Sequence, residues 1–106
     1  MATDLAPKTP YTSGVWQVKP GRADEFVEAW TEFARWTSER VPGSRRAVLV
    51  RDTADLHRFM SFGPWESEAA IAAWRDLDGF KQRVGRIRDL LERFEARTLE
   101  LVATSD

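Results

Sequence analysis

The sequence predicts an α+β fold in which one four-stranded antiparallel sheet carries its helices on a single face. Three observations favour it. The chain has 106 residues, the length of one domain. Short β-branched and aromatic runs alternate with amphipathic stretches, and the central strand-like runs lack a polar face. The elements follow in the order strand, helix, strand, strand, interrupted helix, strand, which is the ferredoxin-like βαββαβ arrangement.

A strand and a helix open the predicted domain. The run from Tyr11 to Lys19, YTSGVWQVK, is rich in residues that favour strands, and Pro20 closes it as a turn. Between Ala23 and Arg40, residues recur at helical spacing, so we expect an amphipathic helix that ends before Pro42. The stripe consists of Phe26, Trp30, Phe33 and Thr37.

A β-hairpin is predicted next, from AVLV at Ala47–Val50 and FMSF at Phe59–Phe62, joined by polar turn formers. Neither run alternates apolar with polar residues, as a strand with one wet face does, so both faces of the sheet are expected to be covered. The helices cover only one face. A second copy of the chain is the economical cover for the other, and we therefore predict a homodimer through the sheet face.

The remaining segment is read as an interrupted helix and a last strand. Ser67 is a good N-cap for an Ala-rich helix that runs through Trp74, and residues 76–79 interrupt it. A second helical stripe is predicted from Phe80, Val84, Ile87, Leu91 and Phe94. The run TLELV, from Thr98 to Val102, predicts the final strand.

Composition bounds the partners and the setting. The net charge is −1, which gives no electrostatic reason to expect nucleic acid or an anionic membrane. Cysteine is absent, and no apolar run approaches a membrane span or a signal peptide, so a cytoplasmic protein is expected. Residues 1–10 hold two prolines and polar spacers, which predicts a flexible arm before a single domain over residues 11–106.

Most site chemistries are excluded by what the sequence lacks. His57 is the only histidine, so no metal site is expected, and it is read either as a strand-opening residue or as a general base. No nucleophile elbow and no phosphate-binding glycine loop occurs.

Aromatic side chains are the remaining signal, with five tryptophans and six phenylalanines. Many of them could point into the layer between the helices and the sheet. They either form the core or surround a slot for a planar apolar molecule, and the sequence leaves both readings open.

Two segments carry a resemblance to a known family. GPWESEAAIAAWRDLDGF at 63–80 and VKPGRADEF at 18–26 resemble the antibiotic biosynthesis monooxygenase family, whose members carry a W-x-S strand exit before an Ala-rich helix. The resemblance implies a dimeric α+β barrel with one pocket per subunit. It also implies oxygenation of a planar aromatic small molecule, of polyketide or quinol type, without any cofactor. The residues expected to be catalytic are Trp65 and Arg58, and those expected to bind substrate are Trp16, Trp30, Phe33, Phe62, Trp74 and Phe80.

The sequence also departs from that family. Similar proteins use an asparagine beside the substrate carbonyl, and this chain contains none. By the same resemblance, Gly14 stands at the asparagine position and Val84 at the histidine position of haem-degrading relatives, so haem is not expected. Gln17, Arg51 and Arg58 are the candidate replacement donors. A non-catalytic binding or accessory module of the same fold is the alternative function.

Overall fold

A computed structural model gives the architecture, and it describes residues 7–106. Four strands and three helices follow one another along the chain. They are β1 (Pro10–Val18), α1 (Ala23–Arg40), β2 (Val48–Arg51), β3 (Arg58–Pro64), α2 (Glu68–Asp76), α3 (Asp78–Arg88) and β4 (Leu91–Glu100). The four strands form one antiparallel sheet in the order β2-β3-β1-β4. The predicted ferredoxin-like α+β fold is confirmed.

The helices form where local signals agree with apolar periodicity. Phe26, Phe33 and Thr37 are the buried residues of α1, on one face as their spacing predicts. The Ser67 hydroxyl caps α2 by accepting the backbone N–H of Ala70 at 3.1 Å. The interruption predicted over residues 76–79 is narrower in the structure, where one extended residue, Leu77, separates α2 from α3.

The end of the chain differs from the prediction. Leu91 and Phe94 were expected on a helical stripe, but α3 ends at Arg88 and both residues belong to β4. A final strand limited to Thr98–Val102 is therefore wrong. The first three residues of the predicted stripe, Phe80, Val84 and Ile87, do lie on the inner face of α3, so the helical spacing suggested that the helix continued beyond them. The next apolar residues pack against the same core from the sheet.

The two faces of the sheet have different environments. Alternation along β1 places Gly14, Trp16 and Val18 towards the helices, where all three are buried. The opposite face, called the open face below, exposes apolar side chains: Val48 is 44% exposed, Val50 49% and Met60 36%. Exposed apolar strand residues are what the predicted sheet-face homodimer would cover, and the dimer stays a prediction.

The N-terminal arm lies only partly in the described region. Residues 1–6 of the predicted arm 1–10 fall outside it. Thr9 is buried, its carbonyl accepts the N–H of Leu101 at 2.9 Å, and Pro10 begins β1. Among residues 7–106, no helix has the length and apolar character needed to cross a membrane.

Candidate functional site

A cavity of about 300 Å³ lies between the sheet and the helices. That volume is at the lower end of the range typical of small-molecule pockets. Its wall is dominated by eight aromatic residues: Trp16, Trp30, Phe33, Phe62, Trp65, Trp74, Phe80 and Phe94. The aromatic layer is therefore partly core and partly the lining of an open slot.

Trp74 organises the rings on the helical side of the cavity. Its indole stacks on Phe33 with ring centres 5.6 Å apart and planes 14° apart. Phe80 meets Trp74 edge-on at 4.7 Å, and Trp65 meets it at 4.8 Å with a 44° tilt. Offset-stacked and edge-to-face contacts of this kind hold the rings in place. The wall therefore presents fixed aromatic surfaces.

Trp16 forms the sheet side of the cavity, and Gly14 makes room for it. The Trp16 indole stacks on Phe94 at 4.2 Å. A Cβ atom on Gly14 would lie only 2.8 Å from the Trp16 ring, so the indole occupies the space above the glycine. Ser61 pairs with Gly14 across the β1–β3 ladder, and Trp16 Nε1 donates to Ser61 Oγ at 3.0 Å. The absence of a side chain at Gly14 therefore lets the Trp16 indole lie over it, and the indole fills the space that the glycine leaves.

Hydroxyl oxygens hold three of the indole N–H groups around the cavity. The pairs are Trp16 with Ser61 at 3.0 Å, Trp65 with Thr12 at 3.1 Å, and Trp74 with Thr37 at 3.0 Å. Each hydroxyl accepts one bond in this way and keeps its own O–H to donate. The indole donors are thus already in use, and the hydroxyls that accept from them are among the groups that can donate to a bound molecule.

Seven of the eight residues predicted to form the site line the cavity. Phe62 is among them, although strand alternation places its side chain on the open face with Met60. Arg58 does not line the cavity. It pairs with Gln17 across β1 and β3 on the open face, beside Arg93. The structure therefore does not bring Arg58 to Trp65.

The other predicted donors also lie elsewhere. Gln17 donates its amide to Asp55 at 3.3 Å, and the guanidinium of Arg51 covers the Phe59 ring at 4.9 Å. None of Ser61, Thr12 and Thr37 was predicted from the sequence as a site residue, although Thr37 lies on the predicted stripe of α1. Ser61 could have been identified from the sequence, because it is the one polar residue inside the apolar run FMSF.

The charged residues that line the cavity are all positive. Its lining contains three arginines, Arg45, Arg75 and Arg88, and no Asp, Glu or His. His57, the residue considered as a general base from the sequence, lies outside the lining. Its backbone N–H donates to Asp55 Oδ1 at 3.1 Å. That bond, followed by the Gln17 amide, holds the pKa of Asp55 below its usual value.

Neither a metal nor a haem group fits the residues present. Within residues 7–106, no group of three His, Cys, Asp or Glu side chains could hold an ion. The cavity wall carries no His, Cys, Tyr or Met that could serve as an axial ligand to haem iron, and Val84 lies in it.

The family model for antibiotic biosynthesis monooxygenases matches residues 13–86. The chain belongs to this family. Among curated proteins, none matches the sequence.

Solved structures share the fold at low sequence identity. SnoaB from Streptomyces nogalater, a cofactor-independent oxygenase solved as a mutant, superposes with a TM-score of 0.85 at 19% identity, over 92% of this chain and 97% of that one. PA3566 from Pseudomonas aeruginosa gives 0.76 at 18% identity, over 93% and 98%. An antibiotic biosynthesis monooxygenase gives 0.73 at 17% identity, over 90% and 98%. These likenesses show the fold, and family membership supports a monooxygenase-type function.

Proposed function

We propose that the protein is a cofactor-independent monooxygenase that acts on a planar aromatic small molecule in the cytoplasm. One observation carries the proposal: the aromatic cavity, with hydroxyl groups on its wall and stacked rings on two sides. A flat ring system gains both apolar burial and stacking in such a slot.

The proposed reaction balances without a cofactor, because the substrate supplies the electrons. With anthrone as the model substrate, the ring carbon opposite the carbonyl loses a proton to give an enolate. The enolate carbon forms a bond to O₂, the resulting peroxide anion takes up a proton, and the O–O bond breaks as water leaves with the last hydrogen of that carbon. The sum is anthrone plus O₂ giving anthraquinone plus water.

The chain would contribute hydrogen bonds to this reaction. Ser61 and Thr37 each accept an indole N–H, which polarises the hydroxyl and strengthens the bond it donates. A preorganised donor of this kind stabilises the negative charge that develops on the enolate oxygen. Since no base lines the cavity, the proton leaves to solvent or the substrate enters already ionised.

Oxygen uptake with anthrone tests the proposal. The wild-type protein is expected to consume O₂ faster than buffer, and Ser61→Ala is expected to lower kcat by about 10²-fold, as for loss of an oxyanion donor. Ser38→Ala is the matched control, because Ser38 is an exposed serine on α1, outside the cavity lining, whose hydroxyl donates to the Arg35 carbonyl at 3.0 Å. A wild-type rate equal to buffer, unchanged by Trp65→Phe, contradicts the proposal for this substrate.

A binding module is the second candidate. The absence of any Asp, Glu or His in the lining favours it, because proton transfer usually needs such a group. A module of this kind would bind the aromatic molecule in the same cavity and leave its oxidation rate at that of buffer.

A further inference from the structure

The rim of the cavity is positively charged. Of the residues that line it, five are themselves exposed to solvent: Arg45, Ala47, Arg75, Arg88 and Ala96. Three are arginines, and the other two carry only a methyl group. No acidic residue lines the cavity, although the whole chain has a net charge of −1. The deep wall is therefore aromatic and the entrance is cationic.

Two of the arginines belong to the helices that precede β4, an edge strand of the sheet. Arg75, on α2, donates from Nη2 to the Thr98 hydroxyl at 3.2 Å. Arg88 is the last residue of α3. Along β4, Ala96 lies between Thr98 and Phe94, it also lines the cavity, and its side chain is only a methyl group.

Helix geometry alone does not explain this placement. A helix C-terminus favours any cation in its last turn, and α3 has two there, Arg86 and Arg88. Only Arg88 lines the cavity. Arg86 thus shares the helix-end position of Arg88 and lacks its access to a bound molecule.

We propose that the natural substrate is a planar aromatic anion, whose ring occupies the cavity and whose carboxylate is bound at the rim by Arg75 and Arg88. The inference rests on the proposed function, in that it takes the cavity as the site for a flat ring. Guanidinium groups bind carboxylates through paired charge-assisted hydrogen bonds. Because arginine is always protonated in proteins, two arginines at the rim favour an anionic ligand over a neutral one of the same shape.

Calorimetric titration with anthracene-2-carboxylate and anthracene-2-carboxamide tests the inference, because the two ligands match in shape and differ in charge. In low salt, the carboxylate is expected to bind about five- to twentyfold more tightly. Arg75→Met and Arg88→Met are each expected to reduce that ratio by about two- to fivefold, the range for partly exposed ion pairs. Arg86→Met is the matched control and is expected to leave the ratio unchanged. Added salt should also lower the ratio.

Several outcomes overturn the inference: equal binding of the two ligands, no binding of either, or a loss of preference in Arg86→Met as large as in Arg88→Met. The result is separable from the proposed function, since titration measures no oxidation. A carboxylate preference without oxygen uptake would support the anion site and contradict the oxygenase. Oxidation of neutral anthrone without a carboxylate preference would do the reverse.

Discussion

Replacing Gly14 with alanine is expected to destabilise the protein by displacing Trp16. The added Cβ would lie 2.8 Å from the indole atoms Cε2 and Nε1. Ordinary carbon contacts are about 3.5–4.0 Å, so the ring must move by roughly 0.7 Å or more. The ring cannot move freely, because Phe94 stacks on it and Ser61 binds its N–H.

The expected loss in the free energy of unfolding can be worked out from these contacts. Inserting a methyl group into a packed core costs about 1–3 kcal/mol. If the shift also breaks the bond from Trp16 to Ser61, about 1 kcal/mol is added. We therefore expect Gly14→Ala to lower the free energy of unfolding by about 2–4 kcal/mol.

Gly85→Ala is the matched control, with the opposite sign. A Cβ there meets nothing within 4 Å, and Gly85 is an exposed residue inside α3, so alanine should stabilise the helix by about 0.5–1 kcal/mol. Urea denaturation measures both, and near-UV circular dichroism reports the Trp16 environment. The double variant Gly14→Ala/Trp16→Phe should lose less stability than the sum of the single changes. A Gly14→Ala protein as stable as wild type, with an unchanged near-UV spectrum, refutes this account of Gly14.

Three further predictions concern polar groups. Thr37→Val removes the acceptor of the Trp74 indole N–H and is expected to cost about 1–2 kcal/mol in urea denaturation; an unchanged midpoint contradicts it. The pH profile of kcat/KM should rise with the ionisation of the substrate and differ between substrates, since arginines are the only charged side chains in the cavity lining; one profile common to all substrates contradicts it. Asp55 has a lowered pKa, so its carboxylate stabilises the fold above its ordinary pKa, and this contribution is lost as the pH falls through the lower folded-state value. The difference in Tm between wild type and Asp55→Asn should thus be present at pH 6 and shrink below pH ~4, and a constant difference contradicts it.

The sequence predicted the fold well because its patterns are local. The stripe on α1 and the cap at Ser67 each determine an element without reference to the rest of the chain. The boundary between α3 and β4 was misplaced, because Leu91 continues a helical spacing by coincidence and meets the same core from a strand.

The site was predicted only in part, for a related reason. Aromatic residues can be identified as candidate pocket residues from their side-chain type alone, and those that were predicted do line the cavity. Whether a polar side chain can donate into the cavity depends on which face of its strand it occupies and on contacts with residues distant in sequence. Arg58 was predicted because a guanidinium can donate hydrogen bonds, but its position on β3 places it on the open face, opposite in parity to Ser61. The bond between Trp16 and Ser61 spans 45 residues, which no local pattern encodes.

The claim that oxygen is inserted into a planar substrate in the aromatic cavity can be checked by product labelling under ¹⁸O₂. Wild-type protein is expected to form anthraquinone carrying one ¹⁸O atom faster than buffer does. Ala34→Trp fills the cavity that Ala34 lines and should return the rate to that of buffer, while Ala73→Trp, on an exposed position of α2 outside the lining, should keep it. Labelled product at the wild-type rate from Ala34→Trp, or at no more than the buffer rate from wild type, contradicts the claim.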